Sequence, residues 1–529
     1  MLSSLHRCRR GAPSDRFAGS RRLELRRGLT NDRPAGQRPA STTPLTLEVS
    51  IRPPRSLGFR DLVVFYVVTG VSLRWLATAA ATGPSAIVVW VVAWTAFFVP
   101  LALSVVELSS RHPDEGGLYV WSKRAFGDFA GFMSAWTYWT SNLPYFPAIL
   151  YFAASNALFL GGARWQALAS SRLYYLAFAL LGLAFPTILH VKGLNLGKKL
   201  NTLGAIGMWA PVVIVIVLGA ISWRRFGSAT HFTLPGLVPS LHLQDIVFWS
   251  TIAFAFGGCE SVSFMGEEIK DPRRTIPRAL LLGGALITVA YIVGTFFVML
   301  AVPSGEVSEL QGLIQAVTIT GQRLGFGVII PLVGLLIALS NLGQAGAFLA
   351  ATARLPFVAG IDRYLPAIFG RLHPRYRTPH VAIWAQSLAA MVFIFLGQAG
   401  TSVRGAYEVL VSMSVIIYFI PYLFLFASLI SLQREPAEPD VIRVPGGKPV
   451  AFLLGGLGFA TTTLAIVLSL VPPPNEPHKL LAVLKVAGLT AILLGLGVGI
   501  YWNGRTRVQR QGRVAPGGRQ TNRVRFQSR

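Results

Sequence analysis

The sequence is poor in charged residues, in cysteine and in histidine. Only 13% of its 529 residues are charged, roughly half the share of an average soluble domain. Two cysteines, Cys8 and Cys259, provide no disulfide framework. The eight histidines form no cluster with other ligand residues, so neither a metal site nor a cofactor is predicted. A P-loop and an arranged Ser/His/Asp set are also missing, which argues against ATP hydrolysis and against a hydrolase.

Charge is missing altogether from several long segments. Each exceeds the about 20 apolar residues that cross a bilayer core as a helix, whereas a soluble helix needs only one apolar stripe. The segments without Lys, Arg, Asp or Glu are 129–163, 279–305, 324–353, 378–403, 409–433 and 449–475. The sequence therefore predicts an all-α polytopic membrane protein of about twelve transmembrane helices. The predicted spans are 62–80, 85–106, 128–160, 172–189, 201–222, 245–264, 279–301, 327–352, 379–397, 405–431, 450–471 and 480–502.

Positive charge is concentrated in the two tails and in alternate loops. With both tails placed inside, the inside segments carry 39 Lys and Arg and the outside segments carry eight, while Arg74 lies within the first span. Because cytoplasmic loops are the richer in Lys and Arg, both termini are predicted to be cytoplasmic, with the protein in the cell membrane. The net charge of +26 then reflects membrane topology, and no nucleic-acid partner is predicted.

The tails flank the predicted spans. Residues 1–55 are rich in Arg, Pro and Ser and lack an apolar segment, which excludes an ordinary cleaved signal peptide. Their composition weakly resembles a transit peptide, but four acidic residues favour a disordered cytoplasmic tail or an over-extended start. The predicted organisation is a basic N-terminal tail (1–56), a core of ten spans (57–431), two further spans (432–502) and a basic C-terminal tail (503–529).

Two predicted spans contain residues that interrupt a helix. In the first span, Gly70 and Ser72 weaken the helix before Arg74, whose charge is costly in a membrane unless it faces protein or water. Arg74 therefore lines a pathway, or it snorkels or pairs structurally. In the sixth span, two glycines, each costing about 1 kcal/mol in a helix interior, lie just before Cys259 and Glu260.

Glu260 has two possible roles. A low dielectric disfavours a charged carboxylate, which makes Glu260 a candidate proton acceptor; alternatively, it only holds helices together. Paired interruptions in corresponding spans are typical of a transport site. The candidate substrate-binding residues are Gly70, Ser72, Leu73, Arg74, Trp75, Gly257, Gly258, Cys259, Ser261 and Asn341.

Other polar and aromatic residues permit two interpretations each. Asn341 and Gln344 are amides within the eighth span, where they either bond another helix or contact substrate. Aromatic residues of the third span either close over a substrate or pack the bundle. Acidic and basic residues of two inside loops lack a nearby His for a metal site, so they are predicted to form an inner latch. Its residues are Glu115, Glu267, Glu268, Lys270 and Arg273.

Four stretches together resemble a known family. They are 73–77 with 83–85; 106–111 with 113–121 and 125–127; 257–260 with 267–274 and Pro277; and 353–354 with Asp362 and 365–366. They are similar to the amino acid–polyamine–organocation superfamily of permeases over about residues 57–430, and most to its glutamate/GABA-antiporter-like branch. The last two spans match only in hydropathy.

The resemblance implies a leucine-transporter-type inverted repeat of five plus five spans, followed by two C-terminal helices. It also implies an amino acid bound between the breaks of spans 1 and 6. Glu260 matches a family position linked to coupling, while Cys259 stands where an aromatic residue is common. Arg74 and Trp75 depart from the small residues usual at the first break, so carboxylate binding by backbone amides stays open.

The leading hypothesis is secondary transport of an amino acid by proton-linked uptake or exchange, without catalysis. The predicted partners are this substrate, a proton and the lipid bilayer. One alternative is a transporter of polyamines or other small amines. A different class, a polytopic membrane enzyme or a channel-like protein, is the second alternative. The sequence makes no prediction of oligomeric state.

Overall fold

The computed structural model describes residues 55–240, 242, 246–247, 252–308, 310–398, 403–436, 438–471 and 479–513. Within these ranges the regular elements are helical, and the sole β-bridge is isolated and pairs Leu57 with Ile269. The predicted all-α class is therefore confirmed. Cys8, nearly all of the predicted N-terminal tail and residues 514–529 lie outside the described residues.

The helices follow the predicted spans closely. They are α1 (Phe59–Gly70), α2 (Leu73–Ala81), α3 (Ser85–Arg111), α4 (Leu118–Phe126), α5 (Asp128–Ala157), α6 (Arg172–Val191), α7 (Leu194–Phe226), α8 (Pro272–Ala301), α9 (Gly312–Arg323), α10 (Ile329–Thr352), α11 (Arg354–Ile361), α12 (His380–Gln398), α13 (Val403–Leu432), α14 (Gly447–Leu468) and α15 (Lys479–Arg513). Three of them, α4, α9 and α11, lie where the sequence predicted only loops.

Ten helical segments of the described chain are long and apolar enough to cross a membrane. They coincide with the predicted spans except for the sixth and the ninth. The ninth contains the shorter apolar stretch His380–Leu396. The sixth is interrupted, and 245 and 248–251 lie outside the described residues. A multi-pass membrane protein is thus supported, whereas the number of twelve spans stays a prediction.

The first span is interrupted between Gly70 and Leu73. Helix α1 ends at Gly70, and Val71 and Ser72 are extended, with φ of −104° and −129°. A side chain at Gly70 would approach Ile287 Cδ1 within 2.4 Å, so the chain leaves the helix where it touches α8. Leu73 then begins α2. The interruption therefore lies at the residues that predict it, Gly70 and Ser72.

The sixth span is interrupted where its two glycines predicted. Residues 252–255 are helical, 256–260 form turns, and a 3₁₀ helix follows over Ser261–Glu268. Gly258 has a φ of +105°, and a Cβ there would lie 2.9 Å from Thr69 O. Only glycine adopts this conformation at low cost and allows so close an approach. The second break therefore lies directly against the end of α1.

Helices α7 and α10 touch through their backbones. A Cβ at Gly204 would lie 2.8 Å from Gly343 Cα, and a Cβ at Gly343 would lie 2.5 Å from Gly204 Cα. Gly207 faces the backbone of Ser340 in the same way, at 2.8 Å from its nitrogen. Small residues allow such close helix packing in membranes, where van der Waals contact drives association.

Candidate functional site

A small central cavity of about 20 Å³ lies between the two breaks. Of the predicted substrate-binding residues, Gly70, Ser72, Trp75 and Gly257 line it. The other lining residues are Thr69, Ser141, Asn142, Tyr145, Phe254, Ala255, Tyr291, Phe348, Ser414 and Tyr418. The cavity is therefore bounded by both interrupted spans together with α5, α8, α10 and α13.

The remaining candidate residues lie around the cavity without lining it. Asn341 donates a hydrogen bond to Ile337 O of its own helix, at 2.7 Å. Ser261 Oγ donates to Gly258 O at 2.5 Å, within the second break. Leu73, Arg74, Gly258 and Cys259 are buried next to the lining residues.

Tyr291 of α8 connects the two breaks through one hydroxyl group. The hydroxyl oxygen accepts the Ser72 N–H at 3.0 Å. Its proton is shared between Gly70 O at 2.9 Å and Ala255 O at 3.0 Å. The ring is stacked on Trp90 with centroids 4.4 Å apart. Buried backbone groups that leave a helix need such partners.

Two further side chains satisfy backbone atoms at the breaks. Gln344 Nε2 of α10 donates to Val68 O at 3.0 Å and to Val71 O at 2.9 Å. Tyr422 of α13 accepts the Gly258 N–H at 3.1 Å. Gln344 thus makes interhelical hydrogen bonds, the first of its two predicted roles, and several of the freed backbone groups are already occupied by protein.

Glu260 is fully buried behind the cavity wall. Tyr138 donates a hydrogen bond to Glu260 Oε1, and Tyr418 donates to the same oxygen at 3.2 Å. The two tyrosine hydroxyls are 3.3 Å apart. Tyr418 also lines the cavity, so one side chain contacts both the cavity and Glu260.

One side of the cavity, called the electropositive side, lies next to the guanidinium of Arg74. The Arg74 guanidinium is buried, with Cζ 4.0 Å from the centre of the Trp75 ring and 5.7 Å from that of Tyr145. Both rings line the cavity. Helix α2 begins at Leu73 without a side-chain cap, and the Trp75 N–H of its first turn donates to Ser72 O at 3.0 Å. An uncapped helix N-terminus beside a cation favours an anionic group.

The loop before α4 packs tightly against the 3₁₀ helix. Glu115 Oε2 accepts the Glu267 N–H at 3.0 Å, and the Gly116 N–H donates to Phe264 O at 3.0 Å. Gly117 has a φ of +38°, and a Cβ there would lie 2.2 Å from Ser263 Oγ. Two of the predicted latch residues are therefore in direct contact.

A buried ion pair lies beside that contact. Arg354 Nη2 is 2.8 Å from Glu268 Oε1, and both side chains are at most 3% exposed. Burial raises the pKa of Glu115 well above its usual 4.5, and the negative charge of Glu268 raises it further. Sequence reasoning noted Arg354 only as part of a family stretch, and its partner could not be read from local spacing.

The other two latch candidates make more exposed contacts. The Lys270 N–H donates to Leu57 O at 2.9 Å through the backbone. Arg273 pairs with Glu438 at 2.6 Å, with both side chains at least 36% exposed. The predicted latch residues therefore form a buried group around Glu268 and an exposed rim at Lys270 and Arg273.

Comparison with known proteins supports the resemblance. The family model described as "Amino acid permease" matches residues 57–492. An uncharacterized transporter of Legionella pneumophila is 30% identical over 430 residues, covering 80% of this chain and 91% of that protein. A probable agmatine/putrescine antiporter of Lactococcus lactis is 24% identical over 427 residues, 80% of this chain and 89% of that protein. A glutamate/serine transporter of Bacillus subtilis is 24% identical over 479 residues, 87% of this chain and 84% of that protein.

Proposed function

Because the chain belongs to the amino acid permease family, we propose that it is a secondary transporter of an amino acid rather than an enzyme. In this proposal it lies in the cell membrane with cytoplasmic termini. The observation that carries the proposal is the cavity between two helix breaks, whose lining comes from both interrupted spans. Interrupted helices offer a solute the polar groups that an intact apolar helix lacks.

The electropositive side of the cavity is the proposed site for the substrate carboxylate. Ser72 Oγ lines the cavity, is buried, and has no hydrogen-bond partner in the described part of the chain. Together with the uncapped start of α2 and the nearby Arg74 it suits an anion. Several freed backbone groups at the breaks already bond protein side chains, whereas the Ser72 hydroxyl is available to donate a hydrogen bond to the carboxylate.

The aromatic side of the cavity is the proposed site for the substrate ammonium group. Phe254 and Tyr418 line it, and aromatic faces attract cations. Glu260 accepts a hydrogen bond from Tyr418 and adds a negative charge next to it whenever the carboxyl group is ionised. A zwitterion therefore matches the two sides of the cavity.

Transport of a polyamine is the second candidate, because one relative is a probable agmatine/putrescine antiporter. Arg74 argues against it. A second cation would lie beside the buried Arg74 guanidinium, and like charges repel one another. We therefore expect a neutral or acidic amino acid to bind better than a diamine.

Glu260 is the proposed proton-coupling residue. A proton on Glu260 would leave a neutral network of two tyrosines and an acid, and its loss would place a charge next to the cavity. Protonation and substrate binding would then affect one another through Tyr418. Proton-linked uptake and amino acid exchange both follow from such a linkage.

Uptake by reconstituted protein tests this function. Proteoliposomes should take up labelled serine or glutamate, exchange it against unlabelled amino acid, and respond to an acidic exterior. Putrescine should compete poorly. Uptake without counterflow would indicate a channel, and transport of putrescine in preference to amino acids would replace the proposed substrate by an amine.

The variant Glu260→Gln tests coupling separately. It should lose the stimulation by an acidic exterior while keeping amino acid exchange, because Gln retains hydrogen bonding but cannot ionise. Glu306→Gln changes an exposed acid and should keep the response to pH. Full stimulation in Glu260→Gln would remove Glu260 from the coupling role without affecting the proposed transport.

A further inference from the structure

A second cavity, independent of the transport site, lies between α5, α11 and α15. It has a volume of about 360 Å³ and shares no lining residue with the central cavity. Its wall is mainly apolar and aromatic, with Trp136, Trp139 and Phe369 among the lining side chains. Asn503 and Arg507, near the end of the last membrane helix, complete the lining.

Specific contacts hold the walls of this cavity in place. Trp136 Nε1 donates a hydrogen bond to Leu493 O of α15 at 2.8 Å. Tyr364 and Tyr501 have ring centroids 5.0 Å apart, and a Cβ at Gly504 would lie 2.3 Å from Tyr364 O. The space is therefore bounded by helices in direct contact on either side of it, and is a built feature of the fold.

The lining has two chemical parts. Aromatic and aliphatic side chains make the deep part unsuitable for water, which needs polar partners. Arg507 and Asn503 supply donors at the rim, and both side chains are exposed. The indole N–H of Trp139 is buried and has no acceptor among the described residues. A ligand with an apolar chain and an anionic, acceptor-rich head matches this arrangement.

We propose that this cavity binds an anionic phospholipid, with an acyl chain against Trp136 and Trp139 and the phosphate at Arg507 and Asn503. The bilayer supplies such a molecule at high local concentration, and a basic residue near the surface attracts it. A lipid without net charge would not neutralise the charge of Arg507. A free soluble anion would leave the apolar part empty.

Lipid retention by the purified full-length protein tests the head-group site. Native mass spectrometry in detergent should show phosphatidylglycerol bound in preference to phosphatidylcholine. Arg507→Gln should lower that binding about fivefold, the effect of losing one basic residue at a membrane surface. Arg505→Gln is the matched control, because Arg505 lies two residues away, 5.2 Å over the Trp502 ring, and does not line the cavity.

Equal losses in the two variants would overturn the proposal, since they would indicate a general effect of charge. Equal retention of both lipids by the wild type would overturn it as well.

Fluorescence quenching tests the acyl-chain site. Phosphatidylglycerol with brominated acyl chains should quench part of the tryptophan emission in vesicles. The quenched part should shrink in Trp139→Phe, and brominated phosphatidylcholine should quench it less. Quenching that is the same in wild type and Trp139→Phe would mean that the chain does not enter this cavity, and would overturn the proposal.

Discussion

The hydroxyl group of Tyr291 satisfies three backbone groups that belong to two different breaks. Its ring is stacked on Trp90, so removal of the oxygen alone should leave the ring in place. Each buried backbone group left without a partner costs about 1–3 kcal/mol. The Tyr291 hydroxyl should therefore contribute more to the free energy of unfolding than a typical tyrosine hydroxyl.

Tyr291→Phe should lower the free energy of unfolding by about 1–3 kcal/mol and weaken substrate binding, because the breaks lose their common partner. Thermal unfolding in detergent and the KM of uptake measure the two effects. Tyr174→Phe removes a hydroxyl that donates to Ala154 O at 2.8 Å and does not line the cavity, so it should leave KM unchanged. Equal effects of the two variants on KM would contradict the role of Tyr291.

Glu115 should make stability depend on pH. Its pKa is raised in the folded protein, so between 4.5 and that raised value the folded state binds more protons than the unfolded state. Stability then falls as pH rises through this window, by up to about 1.4 kcal/mol per pH unit. Glu115→Gln cannot ionise and should unfold with a flatter pH profile above pH 4.5.

Thermal unfolding across the pH range measures this difference. Glu306→Gln, an exposed acid, serves as the control and should keep the wild-type profile. An unchanged slope in Glu115→Gln would show that another group titrates.

Residue patterns located part of the site. Gly70, Ser72 and Gly257 line the cavity as expected, because glycine and serine interrupt a helix locally. Tyr291 and Phe348 also line it, but they lie inside apolar spans with no local signal. Their role arises from packing between distant segments, which a single sequence does not reveal.

At the scale of elements, the 3₁₀ helix Ser261–Glu268 is held by contacts of unequal strength. The Arg354–Glu268 pair is buried, whereas the Arg273–Glu438 pair is exposed. Breaking a buried pair leaves an uncompensated charge and costs about 3–5 kcal/mol. An exposed pair contributes about 0–1 kcal/mol.

Arg354→Gln should therefore destabilise the protein by several times as much as Arg273→Gln, as measured by thermal unfolding in detergent. The two variants make the same chemical change on neighbouring parts of the latch. If Arg273→Gln were the more destabilising of the two, the exposed rim would hold the latch and the buried pair would not.

The long helices could be predicted from the sequence, whereas several short ones could not. Charge-free runs predicted the membrane-length helices because burial in lipid dictates composition over many residues. Helix α4 was missed because Lys123 and Arg124 made it look like a loop. Helix α9 was missed because its polar residues fit neither a span nor a turn.

For the whole molecule, the distribution of Lys and Arg predicts the orientation. A fluorescent protein fused to the C-terminus should fluoresce, because it folds in the cytoplasm, and a phosphatase fused there should be inactive. The loop after Phe226 should give the reverse result, although Arg224 and Arg225 are basic residues on that side. A phosphatase active at both positions would contradict the predicted orientation.

The glycine contact between α7 and α10 has a consequence for how motion in this protein is to be observed. Gly204 and Gly343 place no side chain between the two backbones. A change of side-chain rotamer at these two positions therefore cannot alter the separation of α7 and α10. The two helices should move as one rigid body while other helices change position around them. The distance between spectroscopic labels on α7 and α10 should then stay constant. This distance would serve as the reference against which displacements of α1 and α2 are measured.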